Sequence, residues 1–284
     1  MTLRERLQAG MVVAPGVFDA LTASIAASAG FPALYLSGAA IAYTRLWRPD
    51  IGLVSMAEVA ETVALVRDRV PTPLIVDADD GYGNALNVQR TVRRFERAGA
   101  SAIQIEDQAA PKRCGHLQDK ALIPAAEMAG KVRAAVDART SADTLIIART
   151  DAVAVEGLDR ALDRARLYAA SGADVLFVEA PRSLSELRAV TEALGGLCPL
   201  LANMVEGGDT PMANADELGT LGFRLVIFPG GIVRALAHAA RDYYASLATH
   251  GTNAPFAGRM FDFAGLNGLI GTPETLAAGE RYKA

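Results

Sequence analysis

Cysteine is nearly absent: the 284 residues hold two, Cys114 and Cys198, too few for a disulfide framework. No Cys-x-x-Cys occurs, and the three histidines show no zinc-ligand spacing with them, which sets a structural zinc site aside. A basic block is missing too. Against 28 Lys and Arg stand 32 Asp and Glu, a net charge of -4 with no cluster able to neutralise a run of phosphates, so nucleic acid is excluded as a partner. Residues 20 to 44 carry no charge, but Gly30-Phe31-Pro32 interrupts them and Ser and Thr are interspersed, so they read as helix, turn and strand rather than as a membrane span. The first ten residues include Arg4, Glu5 and Arg6 and lack the apolar core of a secretion signal. The expectation is a cytoplasmic protein with no membrane partner.

What the chain does have is apolar mass, 51% hydrophobic residues against 21% charged, enough to bury a large core. Short apolar runs recur at Met11 to Ala14, Ala33 to Ser37, Leu74 to Asp79, Ala102 to Asp107, Leu145 to Thr150, Val175 to Ala180, Leu200 to Met204 and Leu225 to Pro229. Few polar residues precede their final positions, the pattern of parallel strands covered on both faces. Amphipathic stretches at 56 to 69, 87 to 98, 125 to 138, 158 to 170 and 184 to 194 separate them. Four connections end alike, at Ala29-Gly30-Phe31, Ala98-Gly99-Ala100, Ser171-Gly172-Ala173 and Leu221-Gly222-Phe223, where glycine suits a left-handed helix stop. Eight strand and helix units predict an α/β fold of the closed (β/α)8 TIM barrel type, with a doubly wound sheet as the alternative. Gly81-Tyr82-Gly83-Asn84 lacks the third glycine of a dinucleotide fingerprint and reads as a tight turn.

In such a barrel the chemistry sits at the carboxyl ends of the strands. The residues closing the runs are Ser37-Gly38, Asp77 and Asp79, Glu106 and Asp107, Arg149 with Asp151, Glu179, and Asn203, and all are expected at one mouth. Any single one also reads as a helix cap or a satisfied rim residue. Asp77 and Asp79, one residue apart, should point the same way from a strand, with Glu106 on the next. Three carboxylates in one mouth repel, and a hard divalent cation relieves that repulsion; the alternative is neutralisation by Lys112, Arg113 or Arg149. The polar segment Gln108 to Lys120 reads as a mobile loop. Its Cys114, flanked by Lys112, Arg113 and His116, is a candidate acid, base or nucleophile with a lowered pKa. His116 is a candidate donor to a substrate carboxylate. Cys198 reads as core, and His238 and His250 receive no role.

Together, Leu34-Tyr35-Leu36-Ser37-Gly38, Pro49-Asp50, Asp77-Ala78-Asp79 with Gly81-Tyr82-Gly83, Glu106-Asp107-Gln108, Lys112-Arg113-Cys114-Gly115-His116, Ile147-Ala148-Arg149-Thr150-Asp151 and Asn203-Met204-Val205-Glu206-Gly207-Gly208 resemble the isocitrate lyase and phosphoenolpyruvate mutase superfamily. The resemblance spans about residues 5 to 250, and the Lys-Arg-Cys-Gly-His pentad is its most specific element. It implies a barrel whose last helix is exchanged between subunits of a homotetramer, a dimer of dimers. The expected division is a catalytic barrel over 1–248 and a C-terminal helical segment for assembly over 249–284. It also implies Mg²⁺, or Mn²⁺ in its stead, and a small-molecule 2-oxo or 2-hydroxy acid. By position Asp50, Asp77, Asp79 and Glu106 match the metal and water-shell carboxylates. Ser37, Gly38 and Ala39 match the backbone cradle for the acid, and Gly115, Arg149, Glu179 and Asn203 match other substrate contacts.

The Cys-Gly-His loop is similar to that of the family's carbon-carbon lyases, such as the 2-methylisocitrate and 2,3-dimethylmalate lyases. Breaking C2–C3 of a 2-hydroxy acid leaves a 2-oxo acid and a carboxylate enolate that needs a proton, which Cys114 would supply. Lys112, Arg149 and His116 accompany it as catalytic residues, with Tyr35 the candidate for removing the hydroxyl proton. Val205 stands where the tricarboxylate lyases usually have Thr, which favours a dicarboxylate, whereas Arg234 matches an arginine of the methylisocitrate enzymes and favours a larger acid. Trp47 replaces a small residue, pointing either to a tighter site or to surface packing. The expectation is a Mg²⁺-dependent lyase cleaving a methylisocitrate-like or dialkylmalate-like acid. The alternatives are a carboxyphosphonoenolpyruvate phosphonomutase or oxaloacetate hydrolase on the same scaffold, or a barrel that binds an oxo acid without turnover.

Overall fold

A computed structural model of the chain describes residues 1–115, 117 and 119–283. They form two compact units, Met1–Ile232 and Val233–Ala284. In the first, eight parallel strands close on themselves in sequence order: β1 Val12–Val17, β2 Leu34–Leu36, β3 Leu74–Asp77, β4 Ala102–Glu106, β5 Leu145–Thr150, β6 Val175–Val178, β7 Leu200–Asn203 and β8 Leu225–Phe228. The barrel replaces the doubly wound alternative. β1 meets β8 with Val12 opposite Leu225 and Pro15 opposite Phe228, a seam that an open sheet does not have. Helices Met56–Arg69, Ala125–Ala138, Leu158–Ala170 and Leu184–Leu194 fall within the bounds expected from their periodicity. Gly30, Gly99, Gly172 and Gly222 all adopt positive φ, between 86° and 113°, at the ends of their helices.

Side-chain parity sorts each strand. Val12 and Ala14, Leu145 and Ile147, Val175 and Phe177, and Leu225 and Ile227 join Tyr35, Ile75 and Leu201 in one buried cluster inside the barrel. Leu3 and Leu7 of the N-terminal helix Leu3–Ala9 belong to that cluster. The intervening residues, such as Ile146, Leu176 and Val226, are equally buried. Both faces of most strands are therefore covered, with Val13 and Pro15 of β1 half-buried, which is why the runs read as continuous rather than alternating. Carried two residues further toward the carboxyl ends, the inward parity reaches polar side chains, and the interior changes from oil to charge within one layer.

The second unit comprises most of the long helix Gly231–His250, a 3-10 turn Ala254–Arg259 and the helices Phe263–Leu269 and Thr272–Glu280. Its small core is aromatic: Phe256 meets the Tyr243 ring edge-on at 5.5 Å, and the Arg259 guanidinium lies 4.4 Å from the Phe256 ring centre. Phe261, Phe263 and Leu276 are exposed. Among the described residues no helix is long and apolar enough to cross a membrane.

Candidate active site

Six strands deliver the mouth. Ser37 follows Tyr35 by two residues, Asp77 follows Ile75, Glu106 follows Gln104, Arg149 follows Ile147, Glu179 follows Phe177, and Asn203 follows Leu201. Ser37, Asp77, Glu106, Arg149 and Glu179 are all buried. Ser37 caps the short helix Gly38–Ile41, its hydroxyl oxygen accepting from Ala40 N at 3.2 Å. The N–H groups of Gly38 and Ala39 lie in the helix's first turn, where no intrahelical acceptor exists. A Cβ on Gly38 would stand 3.4 Å from Asp77 Oδ2 and 3.5 Å from Asp79 Oδ1, so both carboxylates face the same small space.

Asp79 arrives there by a different route from the one its spacing suggests. β3 ends at Asp77, and Asp79 turns back through the left-handed region at φ 47°, its N–H donating to Asp77 Oδ1 at 3.2 Å. The Lys112 ammonium enters among these acids, ion-paired to Asp50 and lying 2.7 Å from Asp79 Oδ1. Burial, opposed by Lys112 and reinforced by Asp77 and Asp50, raises the Asp79 carboxyl to about 7. Burial likewise pushes Glu106 well above the carboxylate range, against the pull of Arg149. Glu106 Oε1 is buried and has no hydrogen-bond partner among the described residues. Four carboxylates thus crowd one ammonium and one edge of a guanidinium, which leaves them short of positive charge. No three Asp, Glu, His or Cys side chains among the described residues form a full ligand set. An ion that takes one or two carboxylates and keeps its waters is the kind that fits, and Mg²⁺ has that habit.

Arg149 is the hub on the other side of the mouth. Asp151 accepts from its Nε at 2.9 Å and its Nη2 at 3.0 Å. Glu106 Oε2 lies 3.3 Å from the same Nε, Glu179 Oε2 is 3.8 Å from Nη1, and the guanidinium carbon sits 5.1 Å from the Phe177 ring centre. Burial works against the charge, but Asp151, Glu106 and Glu179 together hold the guanidinium well above its usual pKa. Asn203 donates its amide to both Glu179 oxygens at 3.2 Å, and Asn203 Oδ1 has no hydrogen-bond partner among the described residues. Tyr35 sits one layer lower. Its hydroxyl donates to Gln104 Oε1 at 3.1 Å, and Gln104 Nε2 lies 3.4 Å from Asp77 Oδ1. Burial, then the Asp77 charge, lifts the phenol well above 10, and through Gln104 Tyr35 supports the acids from below.

The described residues of the segment expected to be a mobile loop lie against this mouth. Its base is zipped by the Gln108–Leu122 bridge and by Ala109 N donating to Ala121 O at 2.8 Å. Gln108 also brackets the Arg113 backbone with two hydrogen bonds of 2.8 Å. Cys114 N donates to Asp50 O at 3.1 Å, and the half-buried Cys114 carries no disulfide. Gly115 is packed so closely that a Cβ would come within 2.5 Å of Arg149 Nη2 and 2.8 Å of Glu179 Cδ. His116 lies outside the described residues. Arg234 is an exposed residue of helix Gly231–His250, in the second unit.

Parity removes one residue from the expected set. Asp107 follows Glu106 and therefore faces away from the barrel interior, where it accepts from Thr150 Oγ1 at 2.7 Å, Tyr168 OH at 2.8 Å and Asp151 N at 2.9 Å. Two residues the sequence reading missed now matter. Gln104 carried a signal, as the one polar residue of β4 sharing Glu106 parity. Lys120 carried none, because its partner Asp151 lies 31 residues further along. Trp47 is 83% exposed at φ 51°.

The family model of phosphoenolpyruvate phosphomutase matches residues 3–248. The chain is 41% identical over 272 residues to 2,3-dimethylmalate lyase of Eubacterium barkeri, spanning 96% of this chain and 93% of that one. It is 46% identical over 272 residues to 2-methylisocitrate lyase of Aeropyrum pernix, spanning 95% and 87%. Among solved structures it is similar to a 2,3-dimethylmalate lyase (TM-score 0.93, 37% identity, 98% of this chain and 93% of that one). Oxaloacetate acetylhydrolase with 3,3-difluorooxalacetate is also similar (TM-score 0.93, 33% identity, 100% and 97%). So is phosphonopyruvate hydrolase in complex with oxalate and Mg²⁺ (TM-score 0.89, 30% identity, 99% of both chains).

Proposed function

The chain belongs to the phosphoenolpyruvate phosphomutase family, and from that premise we propose that it is a Mg²⁺-dependent lyase. It cleaves the C2–C3 bond of a substituted 2-hydroxy di- or tricarboxylate, releasing a 2-oxo acid and a second carboxylate. The observation that carries this reading is the seating of the cysteine loop: Cys114 is tied to Asp50 by its N–H while its neighbour Gly115 abuts Arg149 and Glu179. A residue bearing a thiol is thereby fixed beside a mouth built from acids and one guanidinium, which suits a reaction whose product fragment needs a proton.

A bound Mg²⁺ would supply Lewis-acid stabilisation of the substrate oxygens, taking one or two of Asp77, Asp79 and Glu106 directly and the rest, with Asp50, through its waters. The N–H groups of Gly38 and Ala39 receive the carboxylate next to the reacting carbon, in a first helical turn where anions are favoured. Arg149, locked by Asp151, meets the negative charge that grows on the C2 oxygen without having to reorganise. As C2–C3 breaks, the C2 hydroxyl loses its proton to a carboxylate of the mouth, and the electron pair of the broken bond stays on the departing carboxylate fragment as an enolate. The Cys114 thiol protonates that carbon, leaving a thiolate. The loop excludes water while the enolate exists. Lys112 balances Asp50 and Asp79 and pins the loop body. Glu179 and Asn203 line the far wall, where the unpartnered Asn203 Oδ1 offers an acceptor to a substrate donor. His116 is proposed as a further donor to a distal carboxylate.

A panel of 2-hydroxy di- and tricarboxylates assayed for 2-oxo acid release, with and without Mg²⁺, tests the reading. Release from an alkyl-substituted malate or a methylisocitrate-like acid, lost on chelation, is the expected result; no release from any member overturns it. The second reading, a phosphonomutase or oxaloacetate hydrolase, is supported by the likeness to oxaloacetate acetylhydrolase and is decided by assaying oxaloacetate and phosphorus-carbon substrates beside that panel. The exposed Phe261, Phe263 and Leu276 support an assembly role for the 249–284 segment, in a helix-swapped homotetramer. The two widely spaced cysteines without a disulfide support a cytoplasmic setting.

A further inference from the structure

We infer that Lys120 is a positioning residue that latches the cysteine loop shut and couples its closure to Arg149 through Asp151. The geometry is a relay of three charged groups, all out of solvent. The Lys120 ammonium donates to the Gly115 carbonyl oxygen and, at 3.0 Å, to Asp151 Oδ1. That same Asp151 oxygen accepts from Arg149 Nη2 at 3.0 Å. The Lys120 side chain is 1% exposed and that of Asp151 0%. An ammonium buried this deeply persists only where its donors are used, and these two partners lie in different parts of the molecule.

The two partners are also held by different parts of the fold. Lys120 belongs to the zipped base of the loop, next to Ala121, whose carbonyl accepts from Ala109 N, while Asp151 follows β5 in the barrel wall. Gly115 belongs to the loop body. Lys120 therefore stands still as a post, and its bond to Gly115 O exists only while the body is down. In that state Gly115 fills the space beside Arg149 Nη2 and Glu179, and the neighbouring Cys114 is tied by its N–H to Asp50 O. When the body lifts, the Gly115 bond is lost and Asp151 becomes the ammonium's only acceptor in this relay. The latch thus draws on the same carboxylate that orients the guanidinium. The catalytic consequence rests on the proposed function; the closure itself does not.

The test is built so that the two can fail separately. Lys120→Met removes the donor while leaving Asp151 paired with Arg149, and Lys120→Arg keeps a cation. Iodoacetamide labelling of Cys114 in the full chain, followed by mass spectrometry with Cys198 as the internal reference, reports the loop without substrate. Labelling of Cys114 should be roughly 10-fold faster or more in Lys120→Met, the scale of losing one charged hydrogen bond, with Cys198 unchanged. Lys120→Arg should restore part of the protection. On any acid the wild type cleaves, kcat should fall roughly 10- to 100-fold with a smaller change in KM. Equal Cys114 labelling in wild type and Lys120→Met overturns the latch, as does a Lys120→Met kcat equal to that of the wild type. If Lys120→Met does not fold, Lys120→Gln carries the same comparison. A wild type that cleaves no acid overturns the lyase reading alone, and the labelling ratio still decides the latch.

Discussion

Asp151 grips Arg149 with both carboxylate oxygens, Nε donating to Oδ2 at 2.9 Å and Nη2 to Oδ1 at 3.0 Å, at the barrel mouth. Burial works to raise the Asp151 carboxyl, but Arg149, by charge and hydrogen bonds and with Lys120 behind it, outweighs that and brings it to about 2. A folded-state pKa below the unfolded value stabilises the fold above about pH 4, and the stabilisation is lost as pH falls through 2. Asp151→Asn should therefore flatten the acid limb of the stability curve between about pH 4 and 2. At neutral pH it should cost about 3 to 5 kcal/mol, by leaving buried cations under-paired. Urea midpoints across that pH range measure both, and parallel acid limbs in the two proteins would refute the pairing.

Cys114→Ser keeps the size of the side chain and removes its acidity. Cleavage should drop by about 10² to 10⁴, the usual worth of a general acid, with the thermal midpoint unchanged. Single-turnover rates and circular dichroism on the same samples measure this. A variant with full turnover removes the thiol from the reaction.

Gly115→Ala places a Cβ 2.5 Å from Arg149 Nη2, and Asp151 prevents that nitrogen from moving aside. The loop should no longer seat, while the barrel beneath it is untouched. Stability should change by about 0.5 kcal/mol or less, and kcat should fall at least roughly 10-fold. A matching loss of stability and activity would point to a structural role instead.

Mg²⁺ should raise the thermal midpoint of the protein in the presence of oxalate. At a concentration near 100 times its Kd the ion should add about 2.7 kcal/mol of stability. Asp79→Asn and Glu106→Gln should each lose most of that gain, and chelation should reverse it in the wild type. Differential scanning fluorimetry needs no turnover for this. A wild-type midpoint that ignores Mg²⁺ and Mn²⁺ alike would leave the acids to Lys112 and Arg149.

Gly16→Ala tests the closing seam. A Cβ there would lie 2.3 Å from Pro229 O, a backbone atom that cannot give way. A loss of about 1 to 3 kcal/mol is expected, read as a lower urea midpoint at unchanged slope. A neutral substitution would mean that β1 and β8 meet more loosely than their register indicates.

Strand and helix order was legible because a strand covered on both faces leaves a continuous apolar run, and because Gly30, Gly99, Gly172 and Gly222 mark helix stops that favour a residue without a Cβ. Most of the mouth was legible from the polar residues that end those runs. Asp107 was misplaced because the strand end was read without parity, and one residue of offset turns a side chain to the opposite face. Asp79 was expected at the mouth by alternation and reaches it by a left-handed turn past the strand, which spacing alone does not encode. Gln104 could have been found from its parity with Glu106.

The sequence alone determined the barrel, the acidic mouth and the thiol-bearing loop, because each depends on residues that are neighbours or lie at fixed strand and helix periods. Only the tertiary structure decided where the charges are balanced. Lys112 finds Asp50 across 62 residues, Lys120 finds Asp151 across 31, and Gly115 settles against Arg149. Electrostatic pairing depends on distance in space, and no local pattern in a chain carries that distance until the barrel has closed.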